Sequence, residues 1–296
     1  MNTTKVIDWD KVEGRARRKS IFTQLTFIIP AAVLFLLVIM AIFAPLLAPY
    51  PYDQISMQDR LMPPFFVDGG TTSHLLGTDN LGRDVLSRVI YGAQISLSIS
   101  LIVIAITASI GTALGIISGY LGGRIDAFLM RVTDISLAFP AILIALLFAA
   151  TIGPGYWTVV LAISILGWAP YARLIRGEAL KLREADFVAQ ARIIGASPLR
   201  IMVNHIFPNI INPLIIMVTL SVGMVILTEA ILSYLGAGIP PPAASWGNMV
   251  NDGRNLIASA WWISFFPGLA IGLVVLAGNF LGDWLRDKLD PRLRQI

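Results

Sequence analysis

Few side chains in this chain could make or break bonds, and their spacing argues against it. Cysteine is absent and only two histidines occur, His74 and His205. Disulfides, Cys-ligated zinc or iron–sulfur and a thiolate nucleophile are thereby removed. His74 lies close in sequence to Asp79 and Asp84, types that bind metals, but their intervals match no metal-ligand pattern, and the group reads as a solvated loop cluster. The sequence has no phosphate-cradling GxxxxGK run, no HExxH and no GxSxG nucleophile turn. No catalytic residue and no metal site is therefore assigned. Glu229 is the acid set deepest in an apolar segment, where an ionisable group is a functional candidate by default. It lies about 9 Å from the segment's end at about 1.5 Å per residue, so it fits either a structural hydrogen-bonding role or the lining of a translocation pathway. Asp134, next but two after Arg131, reads as a helix-end ion pair.

The elements that would carry these residues are membrane spans. Hydrophobic residues make up 56% of the chain and charged ones 14%, with a mean hydropathy of +0.76, which is the composition of an integral membrane protein. Apolar segments at about 21–48, 93–120, 127–150, 156–175, 209–235 and 260–284 predict an all-α fold with six transmembrane helices. The first follows a polar segment, 1–20, that ends in Arg15, Arg17, Arg18 and Lys19. It is too long for a signal-peptide core and reads as an uncleaved span. A formal charge of +4 would admit a nucleic-acid partner, but in a membrane protein basic residues first report sidedness. On the alternating topology 18 of the 22 lysines and arginines fall on one side, and only Arg60, Arg83, Arg88 and Arg254 on the other. Both termini and the loop 178–208 are therefore assigned to the cytoplasm, and no nucleic-acid partner is expected. His74 and His205 then lie on opposite faces and cannot share a metal.

Within this frame, Pro170, Tyr171, Arg173 and Arg176 indicate that span four leaves the bilayer early or continues, kinked, into the cytoplasm. The extracytoplasmic loop 49–92 starts irregular, with Pro49, Pro51, Pro63 and Pro64, and becomes helical from about Asn80 to Ala93. Gly111, Gly115 and Gly119 form a stripe that lets helix backbones approach, best read as packing within the chain. Between spans five and six, Pro240, Pro241 and Pro242 preset an extended backbone ahead of Trp246. That loop could cover a transport path, receive an external protein, or be a rigid re-entry turn with Trp246, Trp261 and Trp262 as interfacial anchors.

The loop 178–208 is too charged to cross a membrane and reads as a helical elbow. Asp186 is placed to cap a short helix; Phe187, Ala191 and Ile194 share one of its faces; Gly195 can take the left-handed conformation that ends it. Ser197 as N-cap and Pro198 at the first helical position open the next helix. A compact polar elbow on a membrane protein is a docking surface.

The elbow run Ala189-Gln190-Ala191-Arg192-Ile193-Ile194-Gly195, followed by His205-Ile206-Phe207-Pro208, resembles the EAA loop of ATP-binding-cassette importer permeases, which docks in a groove of a cytoplasmic ATPase. Ala191, Gly195 and Pro208 match the pattern. Ala189 stands where the family has its acid, Gln190 for the first alanine, His205 for the isoleucine and Phe207 for the leucine. The stretches LGTDNLGRDVLSRVIYGAQISL (76–97), LSYLGAG (232–238) with SWG (245–247), and GDWLRDKLDPR (282–292) are similar to the C-type permease of dipeptide, oligopeptide and nickel importers.

That resemblance implies a type I importer permease fold with a cytoplasmic coupling helix, in the cytoplasmic (inner) membrane of a bacterium or archaeon. It implies a homologous B-type permease as heterodimer partner, two ATPase subunits, an extracytoplasmic solute-binding protein and surrounding membrane lipid. This chain would bind no cofactor and catalyse nothing, ATP and Mg being held by the ATPase subunits. Transport would proceed by alternating access. The coupling set would be Asp186, Phe187, Ala189, Gln190, Ala191, Arg192, Ile194, Gly195, Arg200 and Pro208, working mainly through an apolar face and arginines because the acid is missing. Glu229 would be the pathway candidate, and Asp79, Arg83, Asp84 and Trp246 candidates for an external gate or a contact with the binding protein. Peptides are the expected cargo, with nickel or oligosaccharides as alternatives within the family. An ion-coupled secondary transporter is the rival from another class. It would show repeats, broken helices in matched positions and midplane acids, of which only Glu229 comes near.

Overall fold

The computed structural model describes residues 27–289. The cluster from Arg15 to Lys19, the start of the first span and the end of the 282–292 motif lie outside the described residues. The described chain is helical, and its sole extended pairing is an isolated bridge between Thr78 and Asp84. Helix α1 (Phe27–Ile42) is followed by the short α2 (Ala44–Leu47) and an irregular segment containing a 3-10 turn at Met57–Asp59. Then come α3 (Val85–Leu121), α4 (Gly123–Ala138), α5 (Ala141–Ile152) and α6 (Tyr156–Arg183). The elbow holds α7 (Asp186–Ile193) and α8 (Pro198–Ile201), a π turn leads into α9 (Phe207–Tyr234), and α10 (Trp246–Gly253) precedes α11 (Trp262–Leu289). Among the described residues four helices are long and apolar enough to cross a membrane, five if a bent pair counts as one span.

One element differs outright from the sequence reading and two others are sharpened, each for a local reason. The segment expected as one helix over 127–150 is two, α4 and α5, bent by 79°. Pro140 has no N–H to continue the ladder and holds the preceding Phe139 extended. The helical lead expected from about Asn80 is the first part of α3, which starts at Val85 because Asp84 caps it by accepting from the Ser87 amide at 2.7 Å. Of the two courses expected for span four, the helix takes the continuing one, past the boundary near 175. Helix α6 runs through Pro170 to Arg183, since one proline removes a single ladder bond and neighbouring helices support the rest.

The glycine stripe decides the central packing. A Cβ built on Gly111 would lie 2.5 Å from Trp168 O, and one on Gly115 2.8 Å from Ala172 O. The backbones of α3 and α6 therefore touch where no side chain fits, as in other small-residue membrane interfaces. The core forms three successive clusters. The first joins α1, α3, α9, α10 and α11 around Trp246; the second joins α3, α5, α6 and α9; the third, beneath the elbow, joins α3, α6, α7, α8 and α9.

Candidate functional site

The elbow is built from its helix ends. Gly195 has φ +80°, its amide donates to Arg192 O at 3.0 Å, and the Ala196 amide donates to Ala191 O at 3.0 Å. These two bonds are the Schellman pattern that closes a helix through a left-handed residue. Two residues on, Ser197 Oγ accepts from the Arg200 amide at 3.4 Å and opens α8 with Pro198 in its first turn. Asp186 does not cap α7 as the sequence predicts. The N-cap is Ala185, without a side-chain bond, and Asp186 is the first helical residue, where its charge favours the positive helix end.

The inner face of α7 is also not the expected one. Val188 and Ala191 are buried against Ile175, Ala179, Ile201, Ile206 and Ile210, so Ala191 belongs to the internal seam and not to an outward docking face. What α7 and its turn present outward is Phe187, 39% exposed, with Ile193 at 84% and Ile194 at 82%. Leu199 and Val203 continue that apolar edge, and Ala189, Gln190, Arg200 and Pro208 are exposed beside it. Arg192 is exposed as well, and its guanidinium is held by contacts within the chain. Its Nη2 donates to Arg183 O at 3.1 Å and its guanidinium carbon stands 5.4 Å from the Tyr120 ring centre, a cation–π distance.

Behind the elbow, charged pairs lock α3, α4 and α6 together. Arg176 donates to both oxygens of Asp126 at 2.5 and 2.6 Å, and Ser118 Oγ donates to Asp126 at 2.5 Å. Such forked pairs fix orientation as well as distance. Asp134 pairs with Arg173 at 2.5 Å, across to α6 and not with Arg131 on its own helix. The elbow therefore sits on a cross-braced base.

At the opposite end, the group read as a solvated loop cluster is buried. Asp79 accepts from Arg83 Nε at 2.7 Å and from Arg88, and Asp252 of α10 accepts from Arg83 and Arg88 at 3.3 Å each. Two cations thus face two anions, of which Asp79 is buried and Asp252 is partly exposed. Asp84 bonds His74 Nδ1 at 2.9 Å while capping α3. Trp246 is fully buried, and its Nε1 donates to Val89 O at 2.9 Å. Asp79, Arg83, Asp84 and Trp246 accordingly turn inward and hold the irregular segment and α10 onto α3; none offers the exposed surface that an external contact needs. Among the described residues no cluster of three His, Cys, Asp or Glu side chains could hold a metal.

Glu229 is 0% exposed. Ser233 donates to it at 2.7 Å and Ser96 at 3.3 Å, with Ser245 at 3.4 Å from Ser233. The carboxyl joins α9 to α3 and to the start of α10, the geometry of a structural hydrogen-bond node.

The chain as a whole has clear counterparts among known proteins. Residues 111–295 match the model for the binding-protein-dependent transport system inner membrane component. The chain belongs to that family. Residues 26–64 match the N-terminal transmembrane domain of oligopeptide transport permease C, which places the chain among the C-type permeases of ABC importers. A putative peptide transport system permease of Brucella suis is 45% identical over 91% of this chain and 88% of its own. The di/tripeptide transport system permease DppC of Pseudomonas aeruginosa is 43% identical over 88% and 86%. The dipeptide transport system permease DppC of Bacillus subtilis is 39% identical over 89% and 81%. Among solved structures, a chain of the MetNI methionine ABC transporter in inward-facing conformations superposes with a TM-score of 0.56 at 16% identity, covering 69% of this chain and 97% of that one. That likeness concerns the fold alone.

Sequence reasoning missed the residues that this permease uses to brace itself. Asp126 and Arg176 are fifty residues apart, so no local spacing links them. Asp252 and Ser245 come from a loop in which the aromatics drew the attention. Val188 had a visible signal, three residues before Ala191, that a different phase of the same helix would have found.

Proposed function

We propose that this chain is one transmembrane half of an ATP-driven importer that carries peptides into the cell by alternating access. The observation that supports it most is the elbow: a short helix closed by a Schellman turn, seated on a braced base, with an apolar edge facing away from the protein. An edge of Phe187, Ile193 and Ile194 at this exposure calls for a partner. On the cytoplasmic side that partner is the groove of an ATPase subunit. Two such subunits hold the ATP and Mg, a homologous B-type permease completes the pathway, and an extracytoplasmic binding protein delivers the cargo. Both termini and the elbow lie in the cytoplasm, and α1, α3, the α4–α5 pair, α6, α9 and α11 make six spans.

The relatives named for peptide and dipeptide transport support peptide cargo. Docking draws on Phe187, Ile194, Ala189, Gln190, Arg192 and Arg200, with Gly195 setting the turn, Pro208 bordering the surface and Ala191 acting from within. The test is reconstitution of this chain with its B-type partner, ATPase subunits and binding protein in proteoliposomes. Labelled dipeptide should accumulate only with ATP inside the cytoplasmic compartment. Uptake by this chain alone, driven by an ion gradient and insensitive to vanadate, would overturn the proposal in favour of a secondary transporter.

A further inference from the structure

Between α3, α6 and α9, away from both sites above, lies a cavity of about 150 Å³ whose walls carry Thr107, Tyr171, Ser221 and Thr228 together with Met217 and Met224. Three of its hydroxyls have committed their hydrogens. Thr107 donates to Val103 O, Ser221 to Met217 O and Thr228 to Met224 O, each at 2.8 Å. Each therefore offers lone pairs to any further neighbour. The fourth, Tyr171, is 3% exposed, and its hydroxyl lies near Thr107 and Ser221 without forming a hydrogen bond in the protein. A buried phenol without a close partner leaves hydrogen-bonding capacity that a water or a polar ligand group can take up.

The position narrows what that is. Only 22% of the apolar window of the helix ending at Tyr234 is buried in this chain, against 56% for α3, so α9 has its face free for a partner or a pathway. Met224, at 64% exposure, stands at the mouth. Hydroxyls collected on that face are poorly matched to acyl chains but suit a wet path. Methionine is unbranched and polarisable, and lines surfaces that must accept varied shapes.

We propose that this cavity is a transit subsite for the amino end of a peptide, resting on the peptide-importer reading above. An ammonium has three donors and no acceptor, the complement of a wall of hydroxyl oxygens. Thr107, Ser221, Thr228 and Tyr171 receive its N–H groups while Met217 and Met224 adapt to the first side chain. Without a carboxylate among its walls the cavity holds the charge weakly, as a site that must also release its cargo requires.

The native chain has no cysteine, which permits a clean probe. In the complete reconstituted importer, Ser221→Cys and Thr228→Cys are each reacted with a cationic methanethiosulfonate, the ethylammonium reagent, and with its anionic ethylsulfonate counterpart. Rates are normalised to those with 2-mercaptoethanol and read by mass spectrometry of this chain. The expected result is a cationic preference of about tenfold, the factor supplied by one hydrogen bond to a charged group, and protection by dialanine during ATP turnover. Equal rates, absence of protection, or labelling by lipid-soluble maleimide alone would overturn the subsite. A second variant, Tyr171→Phe with Ser221→Ala, should lower the maximal rate of dialanine uptake several-fold with its affinity for the binding protein unchanged; full uptake would also overturn it. Failure of the wild-type importer to accumulate dialanine would instead sink the functional reading, so the two failures are distinct.

Discussion

Replacing Gly195 by valine tests whether the elbow's turn transmits force. Gly195 sits at φ +80°, and a Cβ built there meets nothing within 4 Å. The substitution therefore introduces no clash, and its effect is the intrinsic penalty of a left-handed backbone, about 1–2 kcal/mol for a residue with a Cβ. At about 1.4 kcal/mol per factor of ten, the closed turn loses about five- to thirtyfold in population. The loss stays local, because Val188, Ala191, Ile201 and Ile206 continue to anchor the elbow to the third cluster. What shifts is the aim of Ile194 and the angle between α7 and α8. The assay is dipeptide transported per ATP hydrolysed in proteoliposomes. Gly195→Val should lower that ratio several-fold with assembly intact. Gly69→Val is the comparator, having φ +87° and a Cβ only in ordinary contact, 3.6 Å from Pro63. It carries the same backbone penalty in the irregular segment and should leave the ratio unchanged. A wild-type ratio for Gly195→Val, or an equal fall for Gly69→Val, would refute the reasoning.

Two further outcomes concern the braces. Asp79→Ala leaves Arg83 and Arg88 facing Asp252 alone, and stranding a buried cation is destabilising by about 3–5 kcal/mol; thermal unfolding in detergent should show a clear drop, whereas an unchanged midpoint would mean that the network is wet. Glu229→Ala removes the acceptor of Ser233 and Ser96 and should lower stability by about 1–3 kcal/mol while the transport rate per assembled complex holds. A selective loss of transport at full assembly would return Glu229 to the pathway.

Helices were legible because membrane burial leaves few alternatives: every backbone amide must be paired within its segment, so apolar length alone announces a helix. The cap at Ser197 and the turn at Gly195 could be read because the chemistry of helix ends is local. The break at Pro140 and the continuation through Pro170 show where that locality fails, since the two prolines differ in what surrounds them and not in themselves. The faces of α7 were misread for a related reason. Val188 and Phe187 are both apolar, and only the cluster of isoleucines from distant helices decides which is inward. Likewise the Asp79, Arg83 and Asp84 run looked solvated because Asp252, which pairs with Arg83 and Arg88, arrives from elsewhere in the fold.

The central claim is that the exposed apolar edge of the elbow holds the ATPase subunits. Its most direct test is co-purification of the complete importer carrying Phe187→Asp, with membrane insertion and thermal stability of the permease pair as the folding control. The account requires that the permease pair remain folded and the ATPase subunits be lost. Recovery of the full complex at wild-type stoichiometry would contradict it.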